Sequence, residues 1–290
     1  EFRRVPFRSY LSSPVRAIIP AGAGTPTDIV GRAIGQAIVA HLGQTIVIEN
    51  RVGANGIIGM EACARAAPDG YTLCMVANAQ IGFNPALYLK LPYDPVRDYA
   101  PIVLTGITHN GLAVHAGLAF NSLKELLDHA RAKPGALNWA SWGVGSPSHL
   151  SLAWLEARSG ASFTHVLYKE PSMAYLSVQT GESQVITNPT GVLAPQVKAG
   201  KLKALAVGGT ARSPYLPNVP TFAEQGFDFT YRGWNGAIAP AAISPEQVRR
   251  LNAAFNAVLA DKDFTARFMA PIGVEPAGGT PEEFAAFIRS

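Results

Sequence analysis

The sequence predicts an α/β protein in two halves, each a mixed, mainly parallel sheet flanked by helices. Three observations carry this. Apolar strand-like runs alternate with helical ones along nearly the whole chain, a pattern that favours parallel strands covered by helices on both faces. In each half one strand breaks into a glycine loop that opens a helix: Ile18-Ile19-Pro20-Ala21-Gly22-Ala23-Gly24-Thr25-Pro26-Thr27-Asp28 in the first, and Leu137-Asn138-Trp139-Ala140-Ser141-Trp142-Gly143-Val144-Gly145-Ser146-Pro147-Ser148 in the second. The 290 residues are 48% hydrophobic and 15% charged, which describes an ordered globule large enough for one large or two medium domains.

The elements follow in order. A helix over 27–41 carries Ile29, Val30, Ala33, Ile34, Ala37 and Ile38 at helical spacing and ends at His41-Leu42-Gly43. Strand 46–48 leads into a second glycine loop, Glu49-Asn50-Arg51-Val52-Gly53-Ala54-Asn55-Gly56, and a helix over 57–66. Pro68-Asp69-Gly70 is a turn, 71–76 is a strand, and a helical turn follows around 84–88. Strand segments at 102–114 lead out of this first unit. Ser122 caps a helix to 132, Pro134-Gly135 ends it, and the second strand–loop–helix passes into a helix over 149–158. Strand 163–167, helix 173–180, strand 184–186 ending in Thr187-Asn188, a helical segment to 198 and strand 202–207 complete the second half. Apolar strand 233–240 comes next. Ser244-Pro245-Glu246-Gln247 then has the cap, proline and glutamine of a strong helix start, and the last helix opens at Thr280-Pro281. These two helices are expected to dock on the sheet of the first half.

Charge and composition exclude several classes of function. The net charge is +4, but the first nine residues supply three Arg against one Glu, and without them the balance falls to +2. No Lys/Arg stripe with interleaved aromatics is present, so no nucleic-acid partner is expected. That opening segment lacks pattern and caps and reads as a cloning remnant or a processed terminus. No run approaches the ~18 apolar residues of a membrane span. Cys63 and Cys74 lie too far apart for a CxxC site. They read either as two small core residues or as a disulfide, which requires an oxidising compartment.

Enzyme chemistry finds little support. Gly143-Val144-Gly145-Ser146 is not a Gly-x-Ser-x-Gly elbow, and His149 lies three residues along a helix from Ser146. Gly22-Ala23-Gly24-Thr25 lacks the Lys-Ser/Thr of a P-loop and the spacing of a dinucleotide fingerprint. The six histidines are scattered without metal-ligand spacing, so neither a metal nor a cofactor is expected. Two glycine loops feeding helix N-termini remain, and such termini offer bare N–H groups and a partial positive charge to an anion. Asn78, at the end of the strand over 71–76, reads either as a ligand contact at the sheet edge or as a satisfied turn residue.

The chain resembles the substrate-binding receptors of tripartite tricarboxylate transporters, the Bug family of periplasmic solute receptors. The likeness rests on the loop over 20–28, Val47-Ile48-Glu49-Asn50-Arg51-Val52-Gly53-Ala54-Asn55-Gly56, Ala66-Ala67-Pro68-Asp69-Gly70-Tyr71-Thr72-Leu73, Leu91-Pro92-Tyr93-Asp94-Pro95, Gly145-Ser146-Pro147-Ser148-His149-Leu150, Tyr168-Lys169, Ala199-Gly200-Lys201-Leu202 and Gly278-Gly279-Thr280-Pro281-Glu282-Glu283-Phe284. It extends over 14–288. It implies a two-lobed, hinge-closing type II periplasmic-binding-protein fold, with lobe 1 at 10–104 plus 225–290 and lobe 2 at 105–224. It also implies a monomeric periplasmic receptor that is not an enzyme, whose signal peptide is absent from this chain. Such a receptor holds a small carboxylate, either a di- or tricarboxylate or an aromatic carboxylate, between its lobes and delivers it to membrane permease subunits. A ligand-sensing receptor for a signalling partner and a serine-dependent hydrolase using Ser146 and His149 are the alternatives.

By position the resemblance places Gly22, Ala23, Gly24, Thr25, Thr27 and Asp28 in the first ligand cradle, Asp28 holding the loop. Gly145, Ser146 and Ser148 form the second, taking a carboxylate through N–H and hydroxyl groups. Asn78, Trp142, Tyr168, Lys169, Thr187 and Asn188 line the cleft. The chain departs from the family pattern at Thr25-Pro26, Trp142, Val144, Glu170 and Thr187, and Glu170 argues against an amino-acid ligand. Trp142 either stacks on a flat carboxylate or is a hinge or surface residue.

Overall fold

The computed structural model describes residues 13–289, so the reading of residues 1–9 lies outside the described residues. In chain order the first elements are β1 (Val15–Ile19), α1 (Pro26–Ala37), α2 (Val39–Leu42), β2 (Ile46–Asn50), α3 (Ile57–Ala64), β3 (Thr72–Ala77), α4 (Asn84–Leu87) and β4 (Tyr99–Thr108). Then come β5 (Asn110–His115), α5 (Leu123–Ala132), β6 (Asn138–Ser141), α6 (Pro147–Ser159), β7 (Thr164–Leu167), α7 (Pro171–Thr180), β8 (Val185–Pro189), α8 (Thr190–Lys198) and β9 (Leu202–Val207). The chain ends with β10 (Gly233–Pro240), α9 (Pro245–Leu259), α10 (Lys262–Phe264), β11 (Val274–Gly278) and α11 (Pro281–Arg289).

The chain divides into two compact units. The first comprises the described residues up to Gly106 together with Asn235–Phe268 and the segment from Pro276 onward; the second comprises Ile107–Trp234 and Met269–Glu275.

The first unit is built on a six-stranded sheet in the order β11-β4-β10-β3-β1-β2. β1 runs parallel to β2 and β3, while β10 is antiparallel to β3. Flanked on both edges, β1 reads as an apolar run, and Val15, Ala17, Ile18 and Ile19 are fully buried. The helix expected over 27–41 is two: α1 ends at Ile38, and α2 closes on Gly43 in the left-handed conformation (φ +78°). α9 starts with the full capping box expected of Ser244 and Gln247 and packs on α1 and α2 of the first unit. Cys63 of α3 and Cys74 of β3 form a disulfide across 6.3 Å between their Cα atoms, and both are fully buried. The pair therefore staples a helix to the strand behind it.

The second unit has a five-stranded sheet in the order β7-β6-β8-β5-β9. β6 is parallel to β7 and β8, and β5 is antiparallel to β8 and β9. Alternation along the strands supplies two cores. Leu112, Val114, Trp139 and Val185 meet Leu123, Leu126 and Leu127 of α5 and Leu152 and Leu155 of α6. On the other face, Ala113, Ala140 and Ile186 meet Ala174 and Val178 of α7 and Leu193 of α8. Trp139 and Phe163 lock edge to face at 5.2 Å.

β11 and the return of 269–275 to the second unit are absent from the sequence reading. The return rests on two glycines in backbone contact. A Cβ on Gly191, at the start of α8, would lie 2.2 Å from Gly273 N, so only glycine permits the approach.

The disulfide closes a short loop, with a sequence separation of 11 residues. On chain-entropy grounds it contributes about 3 kcal/mol. The Cys63→Ser/Cys74→Ser variant is expected to unfold at correspondingly lower urea, followed by circular dichroism. Coincident wild-type and variant transitions would show that the bond contributes nothing.

Candidate functional site

The first unit's site is the segment between β1 and α1. Pro26 occupies the first helical position, where a missing N–H costs nothing, and no side chain caps the helix at Thr25. Helix geometry therefore leaves the N–H groups of Thr27 and Asp28 without intrahelical acceptors. The Asp28 side chain turns away from them and back onto the loop. Its Oδ2 accepts from Gly24 N at 3.0 Å, while Arg32 Nε donates to both carboxylate oxygens at 3.0 and 3.1 Å. Asn50 Nδ2, at the end of the neighbouring strand β2, donates to Oδ1 at 2.8 Å and to the Ala21 carbonyl at 3.0 Å. Arg32 closes the ring by donating to Asn50 Oδ1 at 2.6 Å. Gly24 adopts φ +79°, which lets its N–H point inward at the carboxylate. Thr25 Oγ1 folds back to the Gly22 carbonyl at 2.8 Å, and Thr27 Oγ1 donates to Asn235 Oδ1 of β10 at 2.5 Å. Asp28 is only 3% exposed. Burial pushes its carboxyl up, but the hydrogen bonds from Arg32, Gly24 and Asn50 and the Arg32 charge outweigh this and hold it below the usual carboxylate range.

The second unit repeats the plan with neutral groups. After β6 the loop passes through Gly143 (φ +151°) and Gly145 (φ +80°) into α6, with Pro147 at its first position. Ser146 caps the helix by accepting from His149 N at 3.4 Å. Gly145 N donates to His149 Nδ1 at 3.1 Å. The His149 ring stacks on His165 of β7, centroids 4.6 Å apart, and His165 Nε2 meets Ser141 Oγ at 2.6 Å. Burial, then the neighbouring His149, push the His165 imidazole below the ordinary histidine range. Ser148 is fully buried. Its hydroxyl donates to the Ala140 carbonyl at 2.8 Å and accepts from Trp139 Nε1 at 3.0 Å and Thr187 N at 3.3 Å. It fastens β6, α6 and β8 together and has no remaining capacity, so the group this residue presents is its first-turn N–H.

Because β1 and β3 are parallel, the 20–28 loop and Asn78 lie at one edge of the first sheet. Asn78 is buried and opens the wide, π-type helical turn at Ala79–Phe83. Because β6, β7 and β8 are parallel, 142–148, 168–169 and 187–188 share one edge of the second sheet. Trp142 is partly buried against the core that contains Ala140 and Ala174. Tyr168 lies in that core too, its hydroxyl bound to Ser183 Oγ at 2.9 Å and Glu182 Oε1 at 3.1 Å, which leaves the exposed Lys169 as the reaching member of that pair. Thr187 and Asn188 are buried at the end of β8, and among the described residues Thr187 Oγ1 is one of three buried side-chain atoms without a hydrogen-bond partner.

Sequence reasoning missed Arg32, Asn50, Asn235, Ser141 and His165 as supports, whereas Ser146 as a cap and His149 as a partner for the loop are readable from their place at the helix start. The i,i+4 spacing of Asp28 and Arg32 was a readable signal. The contacts of Asn50 and His165 depend on strand neighbours and were not.

Two α/β lobes, each with a glycine loop and helix start at the carboxyl ends of parallel strands, define a solute-binding-protein fold. The chain belongs to the receptor family of the tripartite tricarboxylate transporters: residues 30–290 match the family described as "Tripartite tricarboxylate transporter family receptor". It is 32% identical to protein BugT of Bordetella pertussis over 283 residues, 97% of this chain and 86% of that one. Among solved structures it is similar to R. palustris Rpa4515 with adipate (29% identity, TM-score 0.87, covering 96% of this chain and 93% of that one). It is likewise similar to MatC from Rhodopseudomonas palustris with bound malate (29% identity, TM-score 0.86, 96% of each chain). The resemblance read from the sequence is thereby borne out.

A carboxyl held below its ordinary range stabilises the folded state above about pH 4, and that contribution is lost as pH falls through the depressed value. Asp28→Asn places an amide against three donors and is expected to cost about 1.5–3 kcal/mol at neutral pH. It should also flatten the acid limb of stability measured by urea unfolding from pH 6 to 2. Parallel wild-type and variant pH profiles would remove Asp28 as the loop's anchor.

Proposed function

We propose that this protein is a periplasmic receptor that closes its two lobes on a small carboxylate and passes it to the permease subunits of a tripartite tricarboxylate transporter. The observation that carries this reading is that each unit anchors its glycine loop with groups other than the first-turn N–H donors of α1 and α6. Asp28 is occupied by Gly24, Arg32 and Asn50, and the Ser148 hydroxyl by Trp139, Ala140 and Thr187. The donors of Thr27, Asp28 and Ser148 are then available to an anion, each helix start contributing about 1–2 kcal/mol when partly buried. Adipate with Rpa4515 and malate with MatC support a dicarboxylate. Lobe closure is a shift toward the state in which both sets of donors reach the ligand. The protein acts as a monomer without cofactor. Asn78, Lys169 and Asn188 complete the ligand's surroundings, and Trp142 offers a flat face to an aromatic carboxylate.

The geometry favours a receptor over a serine hydrolase. Ser146 Oγ accepts the backbone N–H of His149, while the imidazole Nδ1 of that residue faces Gly145, so the ring is not the hydroxyl's base. Delivery and sensing share this site, and family membership favours delivery.

A thermal-shift series with malate, adipate and benzoate against their neutral amides tests the ligand class. A bound carboxylate at a hundred times its Kd stabilises by about 2.7 kcal/mol, a rise the amides should not produce. No shift with any mono-, di- or tricarboxylate would overturn the reading.

A further inference from the structure

The second cradle is anchored by two histidines that have no counterpart in the first. His149 Nδ1 accepts the Gly145 N–H at 3.1 Å, so that nitrogen carries a lone pair and the ring is neutral with its proton on Nε2. The ring lies on His165, with centroids 4.6 Å apart and planes inclined by 23°. His165 Nε2 is 2.6 Å from Ser141 Oγ, and Ser141 Oγ also accepts from Gly143 N at 3.5 Å. Both turn-forming glycines of the loop, Gly143 and Gly145, therefore end on this stack, one through a serine and one directly. Besides His149, the titratable group that acts on His165 is Glu156, which lies two turns along α6 from His149 and accepts Phe163 N at 2.8 Å. Burial and the neighbouring His149 ring disfavour the charged form of His165.

We propose that His149 and His165 are positioning residues that set the backbone of the 143–146 loop, and that protonation of His149 at Nδ1 releases the Gly145 N–H and changes the loop's shape. The lone pair that holds Gly145 is the one that takes the proton. Once it is taken, an N–H faces an N–H, and Gly145 loses its tie to α6, while the Ser146 cap remains. His165 supports the ring from beneath and hands the same dependence to Gly143 through Ser141. That this loop is a ligand cradle rests on the function proposed above; the coupling of its backbone to the imidazoles does not.

The test uses the ligand-free protein and amide NMR, so that it stands apart from the ligand reading. As pH is lowered, the Gly145 amide resonance should move with the same midpoint as the His149 ring protons. Its hydrogen exchange, corrected for the intrinsic pH dependence, should rise roughly tenfold on protonation. His149→Asn puts a non-titrating oxygen acceptor near the Nδ1 position and should leave Gly145 protected and pH-independent. His149→Phe keeps the ring stack without the acceptor and should leave Gly145 unprotected at every pH. A Gly145 amide that ignores the His149 titration, or equal protection in the Asn and Phe variants, would overturn the proposal. Malate binding is then measured on the same samples. If the wild type binds no malate while Gly145 still follows His149, the ligand reading is at fault and the positioning role stands.

Discussion

An α-helix begins with N–H groups that nothing inside it can satisfy, and a buried or half-buried donor left alone is costly. This chain sets two such beginnings at the carboxyl ends of parallel strands, α1 after β1 and α6 after β6. Much of the surrounding structure follows from keeping those donors unengaged while holding their loops still. Proline at the first position of each helix removes one donor outright. Glycines in the left-handed region turn other N–H groups inward, Gly24 onto Asp28 and Gly145 onto His149. The loops' own polar groups are paired, through Asp28 in the first unit and through Ser148 and His149 in the second.

The two units reach this end by different chemistry. The first uses charge: a buried carboxylate, stabilised by a guanidinium, an amide and a backbone N–H, ties the loop to the end of β2. The second uses neutral hydroxyls and imidazoles, with Ser148 clamping β6 to β8 and His149 holding Gly145. The negative anchor in the first unit is balanced by its ion pair with Arg32. The absence of an anchoring charge in the second leaves the field of the helix start undiminished.

The strand–loop–helix units were legible because their signals are local: apolar strand, glycines, a capping serine and proline within a dozen residues. So were the parallel strand pairs β1 with β2 and β3 and β6 with β7 and β8, which follow from alternation. Less legible were pairings fixed by register. Asn50 reaches Asp28 only because β2 lies beside β1, and Ser141 meets His165 only because β7 pairs with β6. Ser148 reads from sequence as a ligand hydroxyl, yet the buried Trp139 indole beside it needs an acceptor and Ser148 supplies it. β11, with Pro276 and Gly278 inside it, lacks the β-branched alternation that marks a strand and lies at a sheet edge where proline is tolerated. The disulfide was open on spacing alone. It depends on α3 lying against β3, which no count of cysteines reveals.

The central claim is that backbone donors at both helix starts hold one carboxylate. Amide NMR during a titration with malate or adipate tests it most directly. The account predicts that the resonances of residues 22–28 and 143–148 move together, saturating at one Kd, while the neutral diamide moves neither. Saturable carboxylate binding that shifts only one of the two segments, or neither, would contradict it.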